Sequence, residues 1–211
     1  MKKLSYGTAI NDADYFVQKF ETTGWVDGKR KQKQVWICPF YSTWRGMLER
    51  CFSGRAKERQ PTYKDVTCCE EWLVFSNFKQ WMEQQDWVGK QLDKDIIRLE
   101  NKVYSPETCA FVSRVTNSFV LASDAARGEH PLGVYWNKKA GKLRAKCKNP
   151  FTKKSEHLGY FDTPEEAHEA WRKRKHELAQ LVAATETDMR VVEALKKRYS
   201  VEEWYSSDVK Y

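Results

Sequence analysis

Between Lys142 and Lys148 the sequence alternates strictly. Lys142, Arg144, Lys146 and Lys148 share one parity, and Leu143, Ala145 and Cys147 share the other. Successive side chains of a β-strand point to opposite faces, so a strand here carries four cations on one face and small apolar groups on the other. Four unpaired cations cannot be buried. That face must look to solvent or to a polyanion, while the apolar face packs on something of its own kind. Lysine and arginine stems are long enough to reach phosphates, and an arginine can also pair bidentately with a guanine edge. A second basic run, GKRKQKQ at residues 28–34, adds Lys29, Arg30, Lys31 and Lys33. It reads as a solvated loop or as an arm lying on phosphates. The six cysteines contain no C-x-x-C pair, and Cys68 and Cys69 are adjacent, a poor geometry for two ligands on one zinc ion.

The cationic strand needs neighbours to hold it flat. Leu132 to Asn137 is a strand candidate before it, with a turn at Ala140–Gly141, and Lys153 to Phe161 is a third strand after Asn149–Pro150. Asp162-Thr-Pro-Glu-Glu166 then opens a helix: a capping side chain, a proline suited to the first turn, and two carboxylates at the positive end of the helix dipole. This helix runs from Pro164 to about Ala183, with Ala167, Ala170, Trp171, Leu178 and Leu181 as its expected buried stripe. A further helix is expected over 187–199, with the Trp204–Tyr205 tail folding back on the core.

Upstream the pattern is helical. The expected elements are a short helix over Asp12–Phe20, a helix over Tyr41–Phe52 with Trp44, Met47, Leu48 and Cys51 inward, and a loop over Ser53–Pro61. A helix follows over Glu70–Met82, built on Trp72, Phe75, Phe78, Trp81 and Met82. Then come a short extended piece at Cys109–Val112 and a helix over Arg114–Ala122. Gly128 and Pro131 break the stretch after Ala125, which reads as a linker. The fold class expected is α+β in three parts: an N-terminal helical domain over 1–127, a three-stranded antiparallel sheet packed on a long helix over 128–183, and a C-terminal helix and tail over 184–211.

Composition sets the wider limits. The 211 residues carry a formal charge of +8, with 41% hydrophobic and 14% aromatic residues, enough for a core beneath a basic surface. A positive excess on a folded protein suits a polyanionic partner, most simply nucleic acid, or serves solubility. No run approaches the roughly 18 apolar residues of a membrane span, and the lysines at the N-terminus are not followed by the apolar stretch of a signal peptide. No membrane partner is expected, the expected location is the cytoplasm, and the thiols are expected to be reduced.

The stretch GVYW from Gly133, GKLRAK from Gly141 and LGYFDTPEEAHEA from Leu158 resembles the AP2/ERF DNA-binding domain, in order and spacing, over residues 132–181. The last segment is the specific one. The resemblance implies a three-stranded sheet laid in the DNA major groove, with Tyr135, Asn137, Lys142, Arg144, Lys146, Lys148, Ser155 and His157 on the DNA face. Tyr135 and His157 stand where plant members carry Arg and Trp, and Ser155 replaces another Arg, so the site read by plant factors does not carry over. The module is more similar to AP2-like domains appended to bacteriophage HNH homing endonucleases.

LDKDI from Leu92, NKVYSPETCAFV from Asn101, and Asn117 resemble the ββα-metal core of phage HNH-type proteins, and Trp44-x-x-Met47-x-x-Arg50-Cys51 and Glu71-Trp72-x-x-Phe75-x-x-Phe78 resemble their lead-in. Such a site uses a histidine base and a metal on the scissile phosphate. No histidine precedes His130; Lys94 or Asp95 stands at the base position, and Thr108 where an Asn is common. The resemblance implies a degenerate HNH-like domain in which Asp93, Asp95 and Asn117 either hold Mg²⁺ or only tie a small ββα unit together.

Three functions are consistent with these features. The first is a phage-type double-stranded DNA-binding protein needing no cofactor, with Lys142, Lys146, Lys148 and the 29–33 run on phosphates and Arg144, Asn137, Tyr135 and His157 on base edges. The second is an active Mg²⁺-dependent HNH-type homing endonuclease using Asp93, Asp95 and Asn117. The third is a phage protein whose aromatic-rich first domain binds and inhibits a host enzyme or defence system.

Overall fold

The computed structural model describes residues 4–120 and 129–200. The protein is mixed α+β and divides into two compact units, one of residues up to 88 with 98–111, the other of residues 89–97 with 112 onward. The linker and boundary expected near residue 127, and the Trp204–Tyr205 tail, lie wholly or largely outside the described residues. Among those described, no helix is long and apolar enough to cross a membrane.

The first unit opens with an antiparallel hairpin, β1 (Gln18–Val26) and β2 (Lys29–Ile37). Asp27 and Gly28 make its two-residue turn at φ 49° and 71°, and Val26 pairs with Lys29 across it. Asp-Gly with both residues at positive φ is the turn whose twist matches paired strands. This corrects two expectations. The helix over Asp12–Phe20 does not form, and the basic run is a strand rather than a loop. Asn11 and Asp12 spend their side chains elsewhere: Asn11 Oδ1 accepts from Ala13 N at 3.2 Å, and Asp12 Oδ1 accepts from Ser76 N at 2.9 Å. The β-branched and aromatic residues that follow, Thr22, Thr23, Trp25 and Val26, then favour extension.

The core of this unit is aromatic. Helix α1 (Pro39–Phe52) buries Trp44, Met47, Leu48 and Cys51, the stripe its spacing predicts. The expected loop after it contains one short helix, α2 (Gly54–Arg59), because Ser53 Oγ accepts from Ala56 N and caps it. After the short strand β3 (Thr67–Cys68), the helix expected over 70–82 is broken in two. A 3₁₀ turn (Glu70–Leu73) and α3 (Phe75–Glu83) are separated by Val74, which is extended and bridges to Ile10. Trp44 Nε1 donates to the Trp72 carbonyl at 2.7 Å, and Trp72, Phe78 and Trp81 pack ring against ring. Buried indoles need such a partner for the N–H. The short strands β5 (Val103–Tyr104) and β6 (Ala110–Val112) fall in this unit up to residue 111, whereas β4 (Gln91–Asp93) and helix α4 (Arg114–Val120) fall in the second.

The second unit holds the cationic strand. β7 (Val134–Asn137), β8 (Lys142–Lys148) and β9 (Ser155–Phe161) form an antiparallel sheet in that order, with β8 central. Helix α5 (Pro164–Ala183) packs on one face, where Val134, Leu143, Ala145 and Ala167 are buried together with partly buried Leu158, Phe161 and Ala170. Of the two capping candidates, Asp162 and Thr163, it is Thr163 whose Oγ1 accepts from Glu166 N. Leu181 is a correction: it is 54% exposed, and Ala179, Val182 and Ala183 are buried instead. Helix α6 (Met189–Lys197), capped by Asp188, is shorter than the expected 187–199. Gly133, at φ +79°, fixes how close α5 comes: a Cβ there would lie 2.0 Å from Trp171 Cδ1. Only glycine suits both the dihedral and the contact.

Candidate nucleic-acid interface

The face of the sheet turned away from α5 is assembled by register. Across β7 and β8, Tyr135 lies opposite Arg144 and Asn137 opposite Lys142. Across β8 and β9, Lys146 lies opposite His157 and Lys148 opposite Ser155. All eight residues that the resemblance implies therefore share one face. The burial of β8 follows the alternation read from sequence: Leu143, Ala145 and Cys147 are buried, Lys142 and Lys148 exposed, and Arg144 and Lys146 between.

One member of this face is not visible in the sequence. Tyr160 lies opposite Arg144 and is 46% exposed. Counting by twos from His157 puts Tyr160 on the inner face. The register shifts between Ala145 and Lys146, where Gly159 and His157 are the successive partners and Leu158 is the extra residue. A bulge of this kind flips the parity beyond it. Gly159, at φ +140°, is the only local sign of it.

The side chains of the face form a connected set. Arg144 Nε donates to His157 Nδ1 at 3.1 Å, and the His157 ring meets Tyr160 edge-on at 4.8 Å between centroids. Tyr160 Oη accepts from Asn137 Nδ2 at 3.3 Å, and Lys146 Nζ sits 5.8 Å from the Tyr135 ring centroid. Arg144 is thus oriented through Nε, which leaves its two terminal nitrogens, the fork that pairs with O6 and N7 of guanine, for an outside acceptor. Lys142 carries a carboxylate, Asp162 at 2.9 Å. Both turns add exposed cations, Lys138 and Lys139 after β7 and Lys153 and Lys154 before β9.

Glu156, opposite Cys147, is occupied behind the face. Glu156 accepts from Arg174 Nε at 2.7 Å and from Asn149 Nδ2 at 2.7 Å, and the Arg174 hydrogen bond holds its carboxyl below the usual range. His168 supports the edge of β7 from within: its Nδ1 lies 2.8 Å from the Leu132 carbonyl, its ring stacks on Trp171, and burial lowers its pKa. A carbonyl only accepts, so this nitrogen carries the proton. Lys175 is half-buried, donates to the Phe119 carbonyl at 2.8 Å, and lies over the Phe119 ring at 3.7 Å; desolvation pulls its pKa down to about 8.

The residues that the HNH resemblance implies are each engaged locally. Asp93 Oδ1 accepts from the backbone N–H groups of Asp95 and Ile96 at 2.8 and 2.7 Å, and burial raises its pKa. Asp95 is paired with Lys94 at 2.6 Å, and Asn117 Nδ2 donates to Gln91 Oε1 at 2.7 Å. Among the described residues, no group of three or more His, Cys, Asp or Glu side chains is placed to hold a metal ion. A Mg²⁺ ion wants several oxygens at once. A turn carboxylate facing two amides and a second one facing an ammonium do not fit it. The four cations of the 29–33 run are exposed along β2. No family model, curated protein or solved structure matches the chain significantly.

Proposed function

We propose that this protein binds double-stranded DNA by laying the outer face of its three-stranded sheet in the major groove. The observation that carries the reading is the convergence of Lys142, Arg144, Lys146 and Lys148 with Tyr135, Asn137, His157 and Tyr160 on one face, the opposite face being filled by α5. A twisted sheet of this width fits the groove. Lys146 and Lys148, with the turn lysines, neutralise phosphates and set register, and Arg144 reads a base edge in an orientation held by His157. Asn137 is the second base-edge candidate, able to pair with an adenine. The exposed cations of β2 add phosphate contacts. The AP2-like resemblance of residues 132–181 supports the same face. The reading needs no cofactor.

The test is titration of a labelled duplex pool with the full-length protein and with a Lys142→Ala/Arg144→Ala/Lys146→Ala variant. The parent is expected to bind with an affinity that falls steeply with salt, and the slope of log K against log salt should shrink by about 0.9 for each phosphate contact removed. A triple variant that binds as well as the parent overturns the reading.

A further inference from the structure

The hairpin β1–β2 is unlike any other element among the described residues. Its two nine-residue strands are exposed on both faces along nearly their whole length. An isolated two-stranded ribbon is marginally stable in water, because neither face is buried. It is also rich in what proteins usually bury: Phe20, Trp25, Val26, Val35 and Trp36 are all exposed, Trp25 at 67% and Phe20 at 51%.

The register sorts these side chains. Val26 pairs with Lys29, Gly24 with Lys31 and Glu21 with Lys33, so Lys29, Lys31 and Lys33 form a row on one face. Trp25 pairs with Arg30, Thr22 with Gln32 and Phe20 with Gln34, so the other face carries two aromatic rings among an arginine and two amides. The shift between Thr22 and Gly24 brings Trp25 and Phe20, five residues apart, to the same side. Trp36 lies further along, 42% exposed, with Lys19 Nζ 5.7 Å from its ring centroid. From Gln18 to Ile37 there are five cations (Lys19, Lys29, Arg30, Lys31, Lys33) against two acids (Glu21, Asp27).

We infer that this ribbon is a second nucleic-acid site, one that binds unpaired strands. A duplex shows its grooves only base edges, which large flat rings use poorly. An unpaired strand shows base faces, and every base has one, so aromatic rings stack on successive bases without regard to sequence. Trp25 and Phe20 are the platform, Arg30 on the same face adds a guanidinium plane, and the row of Lys29, Lys31 and Lys33 on the opposite face adds the positive field that draws in a polyanion. The excess of cations disfavours a second copy of the ribbon as the occupant and matches a polyanion. The site does not depend on the sheet reading.

The experiment is anisotropy titration of labelled dT20 and rU20 with the full-length protein, with the labelled duplex pool in parallel. The parent should bind the single strands, and both sugars should serve if stacking carries the affinity. Trp25→Ala/Phe20→Ala should weaken single-strand binding roughly tenfold to a hundredfold. Trp25→Phe/Phe20→Trp, which keeps both rings, should bind nearly as the parent does. The sheet triple variant should keep its single-strand affinity, which separates a failure here from a failure of the duplex reading. Absence of dT20 and rU20 binding by the parent overturns the inference, as does equal binding by the ring-free variant. A ring-dependent loss confined to the duplex overturns it in favour of groove insertion, and a ring-dependent dimer without nucleic acid overturns it in favour of self-association.

Discussion

The chain contains two basic β structures that treat their aromatic and apolar residues in opposite ways. In the β7–β8–β9 sheet, Leu143, Ala145 and Cys147 are buried and the cations stand on the other face. In the β1–β2 ribbon both faces are exposed among the described residues, and indole and phenyl rings stand in solvent on a ribbon rich in cations. A sheet backed by a helix can hold its outer side chains in fixed positions, which base-edge readout requires. A ribbon without backing offers rings and charge without a rigid frame, which stacking and phosphate attraction tolerate. Similar charge on the two structures therefore does not imply a similar task. The supporting layer decides which side chains are pre-positioned.

The sharpest way to break this contrast is to remove the support. Gly133→Ala drives a Cβ into Trp171 and places an alanine at φ +79°, so the sheet unit should lose roughly 3 kcal/mol of stability in urea denaturation. A variant as stable as the parent would mean that α5 does not hold the sheet as described. A smaller effect is expected at the helix cap. Thr163→Ala removes the bond to Glu166 N and should cost about 1 kcal/mol, with Thr163→Ser retaining most of it.

The supporting layer also sets a pH dependence. His168 has a lowered pKa in the folded protein because it is buried. The unfolded chain then takes up its proton first as pH falls below about 6.5, so stability should decline through that window and level off below the folded pKa. Urea midpoints at pH 7.5 and 5.5 should differ less in His168→Gln than in the parent. An unchanged difference would locate the acid sensitivity elsewhere. The smallest effect belongs to the surface: Leu181→Lys, at a position 54% exposed, should move the midpoint by no more than about 0.5 kcal/mol.

The two basic structures were not equally legible. Helix α5 could be read to its ends because Thr163, Pro164, Glu165 and Glu166 each act locally at a helix start. β8 could be read because its alternation runs unbroken for seven residues. The ribbon hides its strands: KRKQKQ has no apolar alternation, and the decisive feature is the Asp27–Gly28 turn between them. Tyr160 is hidden by the bulge at Leu158, a tertiary choice that no period-2 count contains. The break at Val74 likewise comes from pairing with Ile10, sixty-four residues earlier in the chain. The stripe on α5 failed at Leu181 because the buried side there is formed by Leu178, Ala179, Val182 and Ala183, and Leu181 lies off it.

The measurement that tests the central claim most directly is selection of bound sequences from a random duplex pool, run with the parent and with Arg144→Lys. Lysine keeps the charge but loses both the fork and the Nε bond to His157. The account predicts that the parent enriches a defined site and that Arg144→Lys binds duplex with similar salt dependence while relaxing the preference at a guanine position. Enrichment of the same site by both proteins, or of no site by the parent, would contradict it.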